Sequence, residues 1–239
     1  MRVRLRFAKL GKVRWTSHRD VARMWERALR RAELPVGRTE GFSPRPKLAF
    51  GLALSTGHES LGEYLDVELA APVAVEELPA RLTPELPIGV DCLAAVEVDQ
   101  RAPSLQQDVT SCTWQIELSG VGEAEASGLV AVAMASTEII ATRTRKGHDV
   151  TDDLRPAITA LAITTPRHGD GAVMLTAELA TQPRGLRPGE LLQACLPAAE
   201  AARVVRTHQW IERDGARREP IPLDATSLAY ADALAYVRA

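Results

Sequence analysis

The sequence predicts an α+β protein built from two successive units, each running strand, helix, strand, strand, helix, strand, with the helices on one face of a mostly antiparallel sheet. Three observations carry this. Short stretches of period-2 hydrophobicity alternate with amphipathic helical stretches in that order over residues 1–100. A similar order recurs after residue 111 with negligible identity between the halves. At 239 residues, with 46% hydrophobic and 25% charged residues, the chain is long and apolar enough for two cores and too apolar to be disordered.

Residues 2–8 place Val3, Leu5 and Phe7 on one side and Arg2, Arg4 and Arg6 on the other, the pattern of a half-buried strand. Ser17 followed by Asp20 forms a capping box that starts a helix over residues 18–32. Its apolar stripe is Val21, Met24, Trp25, Ala28, Leu29 and Ala32, with Arg19, Arg23, Arg27 and Arg30 opposite. Pro35 ends it. A proline-rich turn, Gly41-Phe42-Ser43-Pro44-Arg45-Pro46, leads into short strands at 48–54 and 62–69, a helix at 75–82 and a strand at 90–98. Phe42 is expected to pin that turn to the core; in the alternative the turn presents Ser43 and Arg45 to a ligand.

Residues 101–111, with Pro103 and two glutamines, read as a linker between a domain at 1–100 and a second at 112–239. In the second, strands are expected at 113–118, 138–144, 158–164, 173–179 and 202–211, and helices at 123–135 and 188–195, with a hairpin inserted near 143–156. A terminal helix is expected over 227–238. Two βαββαβ units of this kind are two tandem ferredoxin-like domains.

Charge is unevenly spread. The first fifty residues hold fourteen Lys plus Arg against four Asp plus Glu, a formal +10, whereas the whole chain carries −2. Glu26 is the only acid between Val21 and Ala32, so pairing within the helix leaves most of the arginine side unneutralised. Arg14, Arg19, Arg23, Arg27, Arg30, Arg45 and Lys47, joined by Arg145 and Lys146, therefore form a candidate phosphate-binding surface. Small α+β sheets commonly read single strands, which favours RNA. The lack of an aromatic pair on a strand favours clamping of the backbone over stacking of bases. The bland alternative is a solvated helix side. Asp66 and Glu68 share a strand face and are expected to balance arginines; Asp152 and Asp153 as ligands of a divalent ion are the poorer alternative to ordinary loop acids.

His18 sits at the first helical position, where the helix dipole disfavours protonation. A neutral imidazole beside Arg14 and Arg19 suits a general base acting on a ribose 2′-hydroxyl, that is, metal-independent RNA cleavage. The alternative is a helix-start residue that holds the turn or touches phosphate.

The strings Trp15-Thr16-Ser17-His18-Arg19-Asp20, Leu34-Pro35-Val36, Gly41-Phe42-Ser43-Pro44-Arg45-Pro46 and Gly62-Glu63-Tyr64-Leu65-Asp66-Val67-Glu68-Leu69 resemble the uncharacterised family of radical-SAM-linked proteins. The segment from Arg145-Lys146-Gly147 to Asp153-Leu154-Arg155-Pro156 also fits. Members of that family occur fused to a radical SAM module or free-standing, often encoded near ribonuclease E/G and ribosomal proteins. The resemblance implies a bacterial cytoplasmic protein in an RNA-related setting, partnered by RNA and by a radical SAM enzyme or a ribonuclease E/G-type protein.

Cys92, Cys112 and Cys195 are isolated, so no disulfide framework and no cofactor or metal is expected in this chain. Any iron–sulfur cluster or S-adenosylmethionine belongs to a partner. The N-terminus lacks a signal-peptide core and no apolar run reaches a membrane span, so a cytoplasmic protein with no membrane partner is expected. The leading expectation is an RNA-binding or adaptor protein that is not an enzyme by itself. The alternatives are a His18 endoribonuclease and a scaffold whose arginines meet an acidic protein.

Overall fold

The computed structural model describes residues 1–145, 147–164 and 172–222 of a mixed α+β chain. Lys146, the loop at 167–171 and the expected terminal helix at 227–238 lie outside the described residues. The chain divides into two compact units, Met1–Val109 joined by the segment from Ile211 onward, and Thr110–Trp210.

The first unit runs β1 (Arg2–Lys9), α1 (His18–Arg31), β2 (Leu48–Phe50), β3 (Glu59–Glu68), α2 (Leu78–Leu82), β4 (Val90–Val98) and α3 (Leu105–Asp108). Its strands lie in the order β4-β1-β3, with β2 also pairing β3, all antiparallel. Register places Val3 opposite Val67 and Leu5 opposite Leu65. Those side chains meet Val21, Trp25, Ala28 and Leu29 of α1 and Leu78 and Leu82 of α2 in one core, as the alternation and the helical stripe require.

The other side of β1 is not the solvated face its alternating arginines suggest: Arg4 is 4% and Arg6 0% exposed. Asp66 stands opposite Arg4 and pairs with both Arg2 and Arg4. Arg6 donates to the carbonyls of Leu61 (3.3 Å) and Ile221 (2.9 Å) and pairs with Glu219 at 2.9 Å. The segment read as a linker is packed as well. Ser104 and Gln107 cap α3, Leu105 and Val109 are buried, and Arg2 donates to the Ala102 carbonyl. An arginine row survives burial here because carboxylate and carbonyl oxygens meet its charge and much of its hydrogen-bonding capacity.

The second unit holds β5 (Ser111–Ser119), α4 (Glu123–Ala135), β6 (Ile140–Arg145), β7 (His148–Asp153), β8 (Ile158–Thr164), β9 (Val173–Ala180), α5 (Pro188–Cys195) and most of β10 (Glu200–Arg213), whose end pairs with β11 (Ala216–Arg218). The order is β10-β5-β9-β8, antiparallel throughout. On β5 the buried residues Cys112, Trp114, Ile116 and Leu118 alternate with half-exposed Thr113, Gln115 and Glu117.

β6 and β7 form a separate two-stranded arm from Ile140–Asp153 to Arg145–His148. Its base is clasped by two charged groups. The Asp153 carboxylate accepts from the amides of Ile139 (2.8 Å) and Arg155 (2.9 Å). The Arg155 guanidinium donates to the carbonyls of Met134, Ser136 and Ile158, the first two at the C-terminal end of α4, where a cation also opposes the helix dipole.

Candidate nucleic-acid interface

α1 begins where the sequence places it. Ser17 Oγ accepts from the Asp20 amide at 3.2 Å and donates to the Asp20 carboxylate at 2.7 Å. That hydroxyl bond, reinforced by the nearby Arg23, holds the Asp20 carboxyl below its ordinary range. The aspartate thus reaches the serine side chain. The helix ends in a Schellman turn: Glu33 donates to Arg30 O, Leu34 donates to Leu29 O, and Glu33 takes φ 52.

The helix buries Val21, Trp25, Ala28 and Leu29 and leaves Arg19, Arg23, Arg27, Arg30 and Arg31 exposed. Arg23 touches Asp20 at 3.4 Å. Arg19, Arg27, Arg30 and Arg31 pair with no acid among the described residues, and Glu26 pairs with no base among them, although it lies within four positions of three arginines.

Two of the expected contributors are committed elsewhere. Arg14 is turned to the buried Glu59 carboxylate (3.8 Å), with its guanidinium 5.3 Å over the Trp15 ring. Lys47 pairs with Glu68 at 2.9 Å, which raises its basicity. Arg45 stays exposed on the loop before β2, and its side chain makes no hydrogen bond or ion pair with a described residue. Arg145 ends β6 in the second unit, opposite His148, with Lys146 outside the described residues.

His18 is exposed at the start of α1, its ring edge-on to Phe50 at 5.1 Å. It rims a small pocket lined by Phe7, Lys9, Val21, Phe50, Leu52 and Glu63, among others. Lys9 is spent holding the turn before α1, donating to the carbonyls of Arg14 (3.2 Å) and Thr16 (3.3 Å). With Arg14 drawn to Glu59, the arginine pair imagined around His18 is reduced to Arg19.

The acids fall to structural duties. Asp66 and Glu68 pair with basic residues, and Asp152 pairs with Arg143 (3.2 Å) and Arg184 (3.3 Å). Asp153 is engaged by backbone amides, so the two adjacent carboxylates at 152–153 do not form an open ion site. No group of three or more metal-ligating side chains occurs among the described residues.

Phe42 overturns an expectation. It is fully exposed, 112% relative to an open reference, and pins nothing. Backbone pairing holds the loop out instead: Arg38 bridges Pro46, Thr39 donates to Arg45 O at 2.9 Å, and Lys47 donates to Gly37 O at 2.9 Å. Trp15, 65% exposed, lies against Gly57, where a Cβ would stand 2.9 Å from the indole.

These features define a mixed α+β protein with one unneutralised arginine helix face and an aromatic-tipped loop. The chain belongs to the bacterial family described as "Uncharacterized protein conserved in bacteria (DUF2344)", whose model matches residues 2–188. No curated protein matches it. Among solved structures, a chain in the crystal structure of a Cbf5-Nop10-Gar1 complex is similar at TM-score 0.48 and 12% identity, over 87% of this chain and 48% of that one. The protein thus spans about half of that chain's length, and the likeness is too distant to bear on function. No helix among the described residues is long and apolar enough to cross a membrane.

Proposed function

We propose that this protein is a cytoplasmic RNA-binding adaptor that grips the phosphate backbone with the exposed side of α1 and presents the RNA to a separate enzyme. The observation that carries the reading is the set Arg19, Arg27, Arg30 and Arg31, exposed together and paired with no acid among the described residues. Guanidinium groups left unpaired on a helix face offer bidentate hydrogen bonds to phosphate oxygens. The βαββαβ order of the first unit, with strands in the order β4-β1-β3-β2, supports a ferredoxin-like reading. In the second unit the order β10-β5-β9-β8 around the inserted arm supports the tandem form. In this reading the partner is a radical SAM enzyme or a ribonuclease E/G-type protein, and any cluster or S-adenosylmethionine is the partner's.

The test is binding of a labelled single-stranded RNA across a salt series. Replacing Arg19, Arg23, Arg27 and Arg30 by Glu is expected to abolish binding at moderate salt. Each phosphate contact contributes about 0.7 to the log–log slope, so replacing the four by Gln lowers its magnitude by roughly 3. No affinity of the wild type at low salt sinks the reading, and a flat salt response favours a protein scaffold. His18→Ala compared with wild type on labelled RNA in EDTA settles the endoribonuclease alternative, which equal or absent cleavage removes.

A further inference from the structure

We propose that Phe42 is a stacking platform for one unpaired base, with Arg38 and Arg45 taking the flanking phosphates, so that the RNA bound is single-stranded. This rests on the RNA-binding reading above and names the ligand class of the same surface.

The case begins with the cost of leaving the ring where it is. A phenylalanine exposes a large apolar area that folding normally buries. Here the protein keeps it out by construction. The Arg38–Pro46 bridge, the bond from the Thr39 amide to the Arg45 carbonyl and the return bond from the Arg45 amide to Thr39 Oγ1 (3.0 Å) close the arm. Pro44 and Pro46 stiffen it. Gly41 supplies φ +117 at the tip, with nothing within 4 Å of a Cβ placed there, so its part is the backbone angle. The ring is therefore presented on a pre-ordered loop, which lowers the entropy lost when a ligand settles on it.

The surroundings select the ligand. Arg38 and Arg45 flank the tip, and Glu40 is the only carboxylate between Gly37 and Lys47. Arg38 reaches only the Pro44 carbonyl, at 3.4 Å, and Arg45 has no described side-chain partner. An exposed aromatic ring on a loop that also carries two guanidinium groups matches a chain that alternates π-faces with phosphates. A duplex keeps its base faces stacked within the helix and cannot use such a platform. An apolar protein partner gains nothing from the flanking cations.

The experiment measures binding of a 12-nucleotide oligoadenylate, its abasic counterpart and a 12-base-pair RNA duplex to full-length wild type, Phe42→Ala and Phe42→Trp. Phe42→Ala is expected to weaken oligoadenylate binding roughly 5- to 150-fold, the range for loss of one base–aromatic stack. It leaves the salt slope, duplex affinity and melting temperature unchanged, because the ring packs against nothing. Phe42→Trp retains the affinity, and the abasic strand binds wild type and Phe42→Ala alike. Equal affinity of wild type and Phe42→Ala for oligoadenylate overturns the stacking role while the RNA-binding reading stands. No binding of any RNA by the wild type overturns both. Loss of binding to phosphatidylserine-containing vesicles in Phe42→Ala, with RNA affinity unchanged, assigns the ring to a lipid surface and overturns the proposal.

Discussion

Arg4 and Asp66 form a buried two-point ion pair, with Nε to Oδ1 at 2.8 Å and Nη2 to Oδ2 at 3.0 Å, and Arg2 reaches the same carboxylate at 2.5 Å. One acid thus neutralises two members of the N-terminal arginine row. Removing it strands a buried guanidinium. Asp66→Asn is expected to destabilise the protein by about 3–5 kcal/mol, read as a lowered urea midpoint. Arg4→Met combined with Asp66→Leu is expected to cost far less than the single change, since no charge is left unpaired; equal losses would show that packing and not charge governs the site.

Glu33 occupies the left-handed position of the Schellman turn after α1, where most helices place glycine. Glu33→Gly is expected to stabilise the fold by about 1 kcal/mol, through relief of the clash between Cβ and carbonyl. A thermal melt of the variant that is unchanged or lower contradicts this.

Arg155 spends its guanidinium on three carbonyls at the base of the β6–β7 arm. Arg155→Ala is expected to cost about 2 kcal/mol or more. Lysine is expected to rescue little, because an ammonium lacks the planar fork that spans Met134, Ser136 and Ile158. Chemical denaturation of the two variants distinguishes fork geometry from charge alone, which lysine would restore.

Burial pushes the Cys92 thiol up to about 12 from its ordinary 9.0. The folded state therefore holds its proton when the unfolded state has lost it, so stability is unaffected below about pH 9 and falls as pH rises toward 12. At pH 8 a thiol reagent is expected to leave Cys92 unmodified in the native protein and to modify it fully in denaturant. Rapid native labelling, located by peptide mapping, counts against the burial.

The Asp153 carboxyl is held below its ordinary value first by the Ile139 amide and then by the Arg155 amide. A depressed folded value means a contribution present above about pH 4 and lost as pH falls through the folded value. An NMR titration is expected to show Asp153 more than half ionised at pH 3.8, and Asp153→Asn is expected to flatten the acid response of amide exchange in the arm.

What was legible in the sequence was local. α1 could be read to within a residue because its cap, stripe and terminator all lie within twenty positions. The same holds for Val3, Leu5 and Phe7, whose alternation needs no distant partner. Arg2, Arg4 and Arg6 wear the pattern of a solvated strand face, and nothing nearby reveals that Asp66 and Ile221 enclose them. The candidate site divided in the same way: the exposure of Arg19, Arg23, Arg27 and Arg30 follows from helical period, whereas the diversion of Arg14 to Glu59 and of Lys47 to Glu68 depends on strand register. Phe42 reads as a core anchor, since an isolated aromatic in a loop is ordinarily buried. The bonds that hold it outward are mostly main-chain bonds and leave no side-chain signature.

The bond from Arg6 to the Ile221 carbonyl joins residues 215 positions apart. A nascent chain emits its N-terminal strand first, and at bacterial or eukaryotic synthesis rates of about 5–20 residues per second the acceptor follows roughly 10–45 s later. Throughout that interval Arg6 has no Ile221 carbonyl and no Glu219 to receive it. The first unit is then the first to begin folding and among the last to finish, and truncation before Glu219 leaves the Arg6 guanidinium on its earliest strand without the Glu219 carboxylate and the Ile221 carbonyl.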